Sequence, residues 1–204
     1  MKRIVLGVFL SAILGAAQAG TLEVLNSSVI TFNNYNGQPA SITGAENTGL
    51  WGYLSATSAG KFIATYLGNE SAYIDKFSLN IGGTLLETNS LGSTVSMTVS
   101  GPGTVGFSFS DDQGTGSGHT FSNGQSQTLP LGFAIMKGQT NKYGTFDYIL
   151  GFNDSYTGDA DYDDFVVGVK FVSAVPEPET FAMLLAGLGL IGFSARRRKN
   201  EAFD

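Results

Sequence analysis

Cysteine is absent from the 204-residue chain, which excludes disulfides, thiolate metal sites and cysteine nucleophiles together. A single histidine, His119, excludes any cluster of two or three imidazole ligands. Positive charge is scarce in the middle of the chain. Between Gly20 and Val175 stand 5 Lys, no Arg and 13 acidic residues, a net charge of −8. A surface of that sign repels phosphate backbones and anionic headgroups, which argues against nucleic acid as a partner. Apolar spacing of the helical kind is almost missing from the same stretch.

The two ends differ from the middle. Lys2-Arg3, the apolar run Ile4 to Leu14 and Ala17-Gln18-Ala19 form the three parts of a secretory signal peptide over residues 1–19. Ala17 and Ala19 stand where signal peptidase requires small residues. At the other end Val175-Pro176-Glu177-Pro178-Glu179 precedes an apolar run, Thr180–Ala195, and then Arg196-Arg197-Arg198-Lys199. The prolines hold their stretch extended, the form in which proteases bind substrates. As a helix the apolar run spans about 24 Å, slightly short of a bilayer core, a gap that snorkelling Arg and Lys close. A single transmembrane helix is expected there, anchored in the inner membrane before processing. Arg196, Arg197, Arg198 and Lys199 are its stop and residues 200–204 its cytoplasmic end.

Pro-Glu-Pro, a short Leu/Gly-rich span and an Arg-rich tail, in that order over 175–199, resemble the PEP-CTERM sorting signal of Gram-negative bacteria. The resemblance implies that exosortase, a membrane protease-transpeptidase, recognises Pro176, Glu177 and Pro178 and passes the protein to the cell surface or extracellular matrix. It also implies a setting of exopolysaccharide and biofilm matrix. The same C-terminal module carries the label "ice-binding protein C-terminal".

Residues 20–174 read as an all-β ectodomain, an antiparallel β-sandwich or jelly roll. Period-two runs carry that reading: Val95-Met97-Val99, Val105-Phe107-Phe109, Phe77-Leu79-Ile81, Phe146-Tyr148-Leu150-Phe152 and Phe165-Val167-Val169-Phe171. Gly101-Pro102-Gly103 predicts a hairpin between the first two. Weaker strands are expected over 22–26, 29–32, 61–67, 84–87 and 132–136.

Asp154, Asp159, Asp161, Asp163 and Asp164 crowd one loop that holds no Lys or Arg. Their oxygens suit Ca²⁺, in a loop that is not an EF-hand: Asp164 stands where that motif needs Gly and Lys170 where it needs Glu. The loop reads either as a Ca²⁺ site or as a solvated acidic turn. It is similar to an acidic motif of exported bacterial proteins that carries Glu at the position of Asn153.

Two further groups of residues bear on function. Phe62–Tyr73 resembles a stretch recurring in PEP-CTERM ectodomains. Trp51, Tyr53, Tyr66 and Tyr73 offer flat faces for sugar rings, with Asn69, Glu70 and Asp75 as hydrogen-bond partners, or else they are core. His119 lies near Ser117 and Asp111, but no nucleophile elbow or strand–helix alternation supports a hydrolase, so no catalytic residue is expected. The leading reading is a non-enzymatic exported protein sorted by exosortase. Exopolysaccharide binding is the alternative, and ice binding through the Thr94-Ser96-Thr98-Ser100 row a remote one.

Overall fold

The computed structural model describes residues 19–32, 48–112, 118–128, 130–155, 160–174 and 178–201. Ala17 with nearly all of the expected signal peptide, Pro176, Glu177, Ser117 and Asp159 lie outside the described residues. The strands are β1 (Leu22–Thr31), β2 (Thr48–Ala56), β3 (Gly60–Gly68), β4 (Lys76–Leu79), β5 (Gly83–Leu86), β6 (Thr94–Val99) and β7 (Gly103–Thr104). They continue with β8 (Phe107–Ser110), β9 (Thr120–Ser122), β10 (Gly132–Lys137), β11 (Thr140–Asn141), β12 (Gly144–Thr145), β13 (Tyr148–Asn153) and β14 (Phe165–Ser173). Among the described residues one helix, α1 (Pro178–Glu201), follows.

Every strand pairing is antiparallel. The large sheet runs β1-β2-β10-β13-β14-β3-β6, with β7 also paired to β2, and the small one runs β5-β4-β8-β9. Period two decides what lies between them. Phe77, Leu79, Leu85, Phe107 and Phe109 of the small sheet join Leu54, Phe62, Phe133, Leu150, Phe152, Phe165 and Val167 of the large one in one core. Rings cross the gap directly: Phe62 stacks on Phe107 at 6.1 Å between centroids and Phe109 on Phe152 at 5.2 Å. Buried Asn123 sews the two sheets at one edge. Its side-chain oxygen accepts from the Leu54 amide at 2.9 Å, and its Nδ2 donates to the Leu54 and Val105 carbonyls. This is the expected all-β sandwich.

Four local expectations are corrected. Val95-Met97-Val99 and Val105-Phe107-Phe109 are not a hairpin, because β6 pairs with β3 and β8 with β4 and β9. The Gly101-Pro102-Gly103 turn carries the chain from one sheet to the other, so both runs face the same core from opposite sides. Ile81 leaves its alternating run and is 82 % exposed, because the chain turns after Leu79. Phe146 precedes β13 and packs on the outer face of the large sheet with Leu67, Ile149 and Val166. That cover explains why β14 is buried on both faces from Phe165 to Val169. The two weak strands expected over 22–26 and 29–32 are one strand, β1, with a register shift between Leu25 and Ser28 and Asn26 at φ 50°. β2, which no alternation announced, lies beside it.

The helix α1 opens at Pro178, two residues before the expected start at Thr180. Proline suits a first helical position, where its missing N–H has no partner to lose. Large apolar side chains from Met183 to Phe193 are exposed right round the helix. Among the described residues no helix is long and apolar enough to cross a membrane, a statement that does not touch β-barrels.

Candidate metal centre

Antiparallel pairing brings three strand ends to one edge of the large sheet. β3 ends at Gly68, which pairs with Val166 near the start of β14, and Phe165 pairs with Phe152 near the end of β13. The loop 69–75 and the loop 154–164 are therefore neighbours, although the 78 residues from 76 to 153 separate them along the chain.

The 154–164 loop is held down by its middle. Tyr162, at φ 60°, turns its ring into a pocket with Phe32 and Ala134, the Phe32 ring centroid 5.1 Å away. The Tyr162 carbonyl then lies over Gly151, where an added Cβ would meet that oxygen at 2.0 Å. Only glycine allows the loop so close to β13. With Tyr162 pinned, the residues on each side of it, Asp161 and Asp163, are buried as well. One carboxylate oxygen from each of them and one from Glu70 lie within 4.8 Å of one another. Asp163 has no exposed surface, and neither of its oxygens has a hydrogen-bond partner.

Asp154 and Asp164 face a different neighbour. The Asp154 amide donates to Asp164 Oδ2 at 2.8 Å, and the Ser71 hydroxyl donates to Asp154 Oδ2. Beside them is Asp75, wholly buried, whose amide donates to Glu87 Oε1 at 2.6 Å. Asn153, at the start of the loop, donates to the Pro130 and Ser155 carbonyls at 3.0 Å. Its own oxygen is buried without a partner.

The electrostatics point one way. Burial pushes the Asp163 carboxyl well above its ordinary range, and Asp161 and Glu70 push it further. Burial does the same to Asp75, followed by Asp154, Asp164 and Glu87. The Tyr66 hydroxyl rises to about 12 through burial and then through Glu87 and Asp75. Every group named as acting on these two aspartates is itself a carboxyl. Such an arrangement is costly as it stands and is resolved by bound protons or by a cation.

Of the five aspartates expected to bind Ca²⁺, the structure brings Asp161 and Asp163 together and sets Asp154 with Asp164 elsewhere in the cluster; Asp159 lies outside the described residues. Glu70 and Asp75, expected as sugar partners, instead belong to the carboxylate cluster, and Glu87 joins them unannounced. Their only signal in the sequence is that acidic residues follow the end of β3; the pairing that makes them matter joins distant segments. Tyr66 is a core residue stacked on Phe165 at 4.9 Å, and its hydroxyl donates to Asn69. His119 Nδ1 stands 3.2 Å from Asp111 Oδ2, and its amide donates to Asp111 Oδ1 at 3.0 Å, a pair that closes its own loop.

What the fold and the carboxylates define is a β-sandwich with a buried acidic centre. Its C-terminal segment is defined more closely: residues 174–199 match the model of the PEP-CTERM protein-sorting motif. The chain thus carries the signal of an exported protein that exosortase processes and sorts to the cell surface. No curated protein and no solved structure matches the chain.

Proposed function

We propose that residues 20–174 are a non-enzymatic sandwich that takes up Ca²⁺ outside the inner membrane, on a protein anchored through α1 until exosortase cuts at its C-terminal motif. The observation that carries the Ca²⁺ reading is Asp163, a fully buried carboxylate with two unpartnered oxygens converging on Asp161 and Glu70. Ca–O bonds of about 2.3–2.6 Å place ligand oxygens up to about 5 Å apart, which this trio matches. Oxygen-only donors favour a hard ion, and Mg²⁺ gives up its water reluctantly. Exposed Glu70 leaves the ion a way in.

The test is the melting temperature of the full chain in mild detergent, in EDTA and in millimolar Ca²⁺. A loop site in an extracellular module binds at about 10⁻⁴–10⁻³ M. The gain is then about 0.4–1.4 kcal/mol, or roughly 1–6 °C for a chain of this size. Mg²⁺ gives less, and Asp161→Asn with Asp163→Asn shrinks the increment. Coincident melting curves in EDTA and Ca²⁺ would remove the metal from the account.

One observation favours a second reading, exopolysaccharide binding. Trp51 and Tyr53, two apart on β2 and so on one face, line a groove of about 250 Å³ with Asn26, Ser28, Gln125 and Gln127. Flat rings beside amide side chains suit sugar faces and hydroxyls. The full chain should then sediment with matrix polysaccharide from its host, and Trp51→Ala should lose at least tenfold in binding while its far-UV circular dichroism shows the chain still folded. Equal sedimentation of the two proteins rules the groove out.

A further inference from the structure

The geometry points to a reading of neighbouring hydroxyls: the groove beside Trp51 holds an uncharged sugar by two adjacent ring hydroxyls on the backbone of Gly52. This deepens the polysaccharide reading of that groove and rests on it. Backbone groups along a strand turn alternately to its two sides. Just past β2 the Thr57 N–H donates to the Thr21 carbonyl, on the β1 side. The groups of Leu50, Gly52 and Leu54 therefore face the other way. There Leu50 meets Ile135 of β10, and Leu54 meets the Asn123 side chain and the Val105 N–H. Gly52, between them, has no partner in any strand pairing among the described residues, and it lines the groove.

A side chain keeps Gly52 from pairing. Phe133, two residues before Ile135, is what antiparallel register would set against Gly52, two residues after Leu50. Its N–H instead donates to Gln127 Oε1 at 2.6 Å, and its carbonyl accepts from Gln127 Nε2 at 3.3 Å. Gly132, at φ 120°, leaves room for that amide, since an added Cβ would meet Gln127 Oε1 at 2.1 Å. Asn123 treats Leu54 in the same way, its oxygen accepting from the N–H and its nitrogen donating to the carbonyl. In both cases an acceptor and a donor standing side by side meet the N–H and C=O of one residue. Gly52 presents the same two groups to the groove, and two adjacent hydroxyls of a sugar ring supply the matching acceptor and donor. Trp51 and Tyr53, on either side of Gly52, offer flat faces to that ring. The lining carries no charged side chain, and the net charge of −8 over residues 20–175 disfavours an acidic sugar.

The experiment uses the single tryptophan, Trp51, as its reporter. The full chain, in a mild detergent without a sugar headgroup, is titrated with two uncharged glucans. Dextran keeps adjacent ring hydroxyls free along its backbone, whereas the linkages of laminarin leave no two adjacent ones free. Dextran should change the Trp51 fluorescence saturably, and laminarin should bind at least about tenfold more weakly, as the loss of paired hydrogen bonds requires. Equal binding of the two means that the rings alone hold the sugar; it overturns this inference and leaves the polysaccharide reading standing. No response to either glucan, with matrix polysaccharide still sedimenting with the chain, overturns it as well. No response and no sedimentation ends both readings.

Discussion

With Pro176, Glu177 and Pro178 all replaced by alanine, the protein should cross the inner membrane and stay there, uncut, with none reaching the cell surface. The three residues fall inside the sorting motif that spans 174–199. Proline fixes its own φ and disfavours helix in the residue before it, which in this sequence means Val175 and Glu177. The described part of helix α1 opens at Pro178. Alanine has the highest helix propensity, and three of them let α1 grow back toward the end of β14, winding the recognition residues into a helix that a protease cannot bind as an extended strand. The N-terminal segment is untouched, so export proceeds. On the anchored reading proposed above, the apolar turns from Met183 to Phe193 and the Arg196–Lys199 cluster are what would hold the uncut chain in the membrane. Fractionation with an antibody to the tail reads the outcome: all signal in the inner membrane, against little in the unaltered strain. Tail-free protein at the surface of the altered strain means that another protease does the cutting.

Alternation along a strand is a local property, and it made the buried faces of β4, β8, β13 and β14 legible from sequence. Pairing between strands is not local. Val95-Met97-Val99 and Val105-Phe107-Phe109 carry identical signals whether they lie side by side or face each other across a core, and the turn between them permits either. The same distinction governs the acidic edge. Asp161 and Asp163 announce themselves by density in one loop, whereas Glu70 and Asp75 matter only because β3 runs antiparallel to β14. Tyr66 looked like a sugar platform because an aromatic at a strand end carries no mark of which face it takes. Its ring lies on Phe165 inside the core. The C-terminal signal was the most legible part because its parts are contiguous and their order is the information.

Phe109→Ala should lower the stability of the Ca²⁺-saturated chain by about 3–5 kcal/mol, the range for emptying a buried phenylalanine site. That corresponds to a melting temperature roughly 6–20 °C lower at this chain length. Phe109 has no exposed surface. Its ring meets Phe77 at 5.1 Å, Phe133 at 5.6 Å, Phe152 at 5.2 Å and Phe165 at 6.4 Å between centroids. One side chain of the small sheet thereby touches β10, β13 and β14 of the large one. Phe121 is the control: it is half-buried and meets Phe152 at 6.0 Å, so its replacement by alanine leaves a shallower gap that water can enter and costs less. Phe109 also reaches the acidic edge. Phe152 and Phe165 are paired residues immediately flanking the segment from Asn153 to Asp164. Removing the ring that wedges them from below lets the two strand ends shift, and carboxylates converging within 4.8 Å do not tolerate such a shift without losing ligands. Weaker Ca²⁺ binding should therefore accompany the loss of stability in Phe109→Ala and be absent in Phe121→Ala, as Ca²⁺ titration of both variants would show. A loss below about 1 kcal/mol would mean that the site collapses around the missing ring, and that the sheets are held together elsewhere.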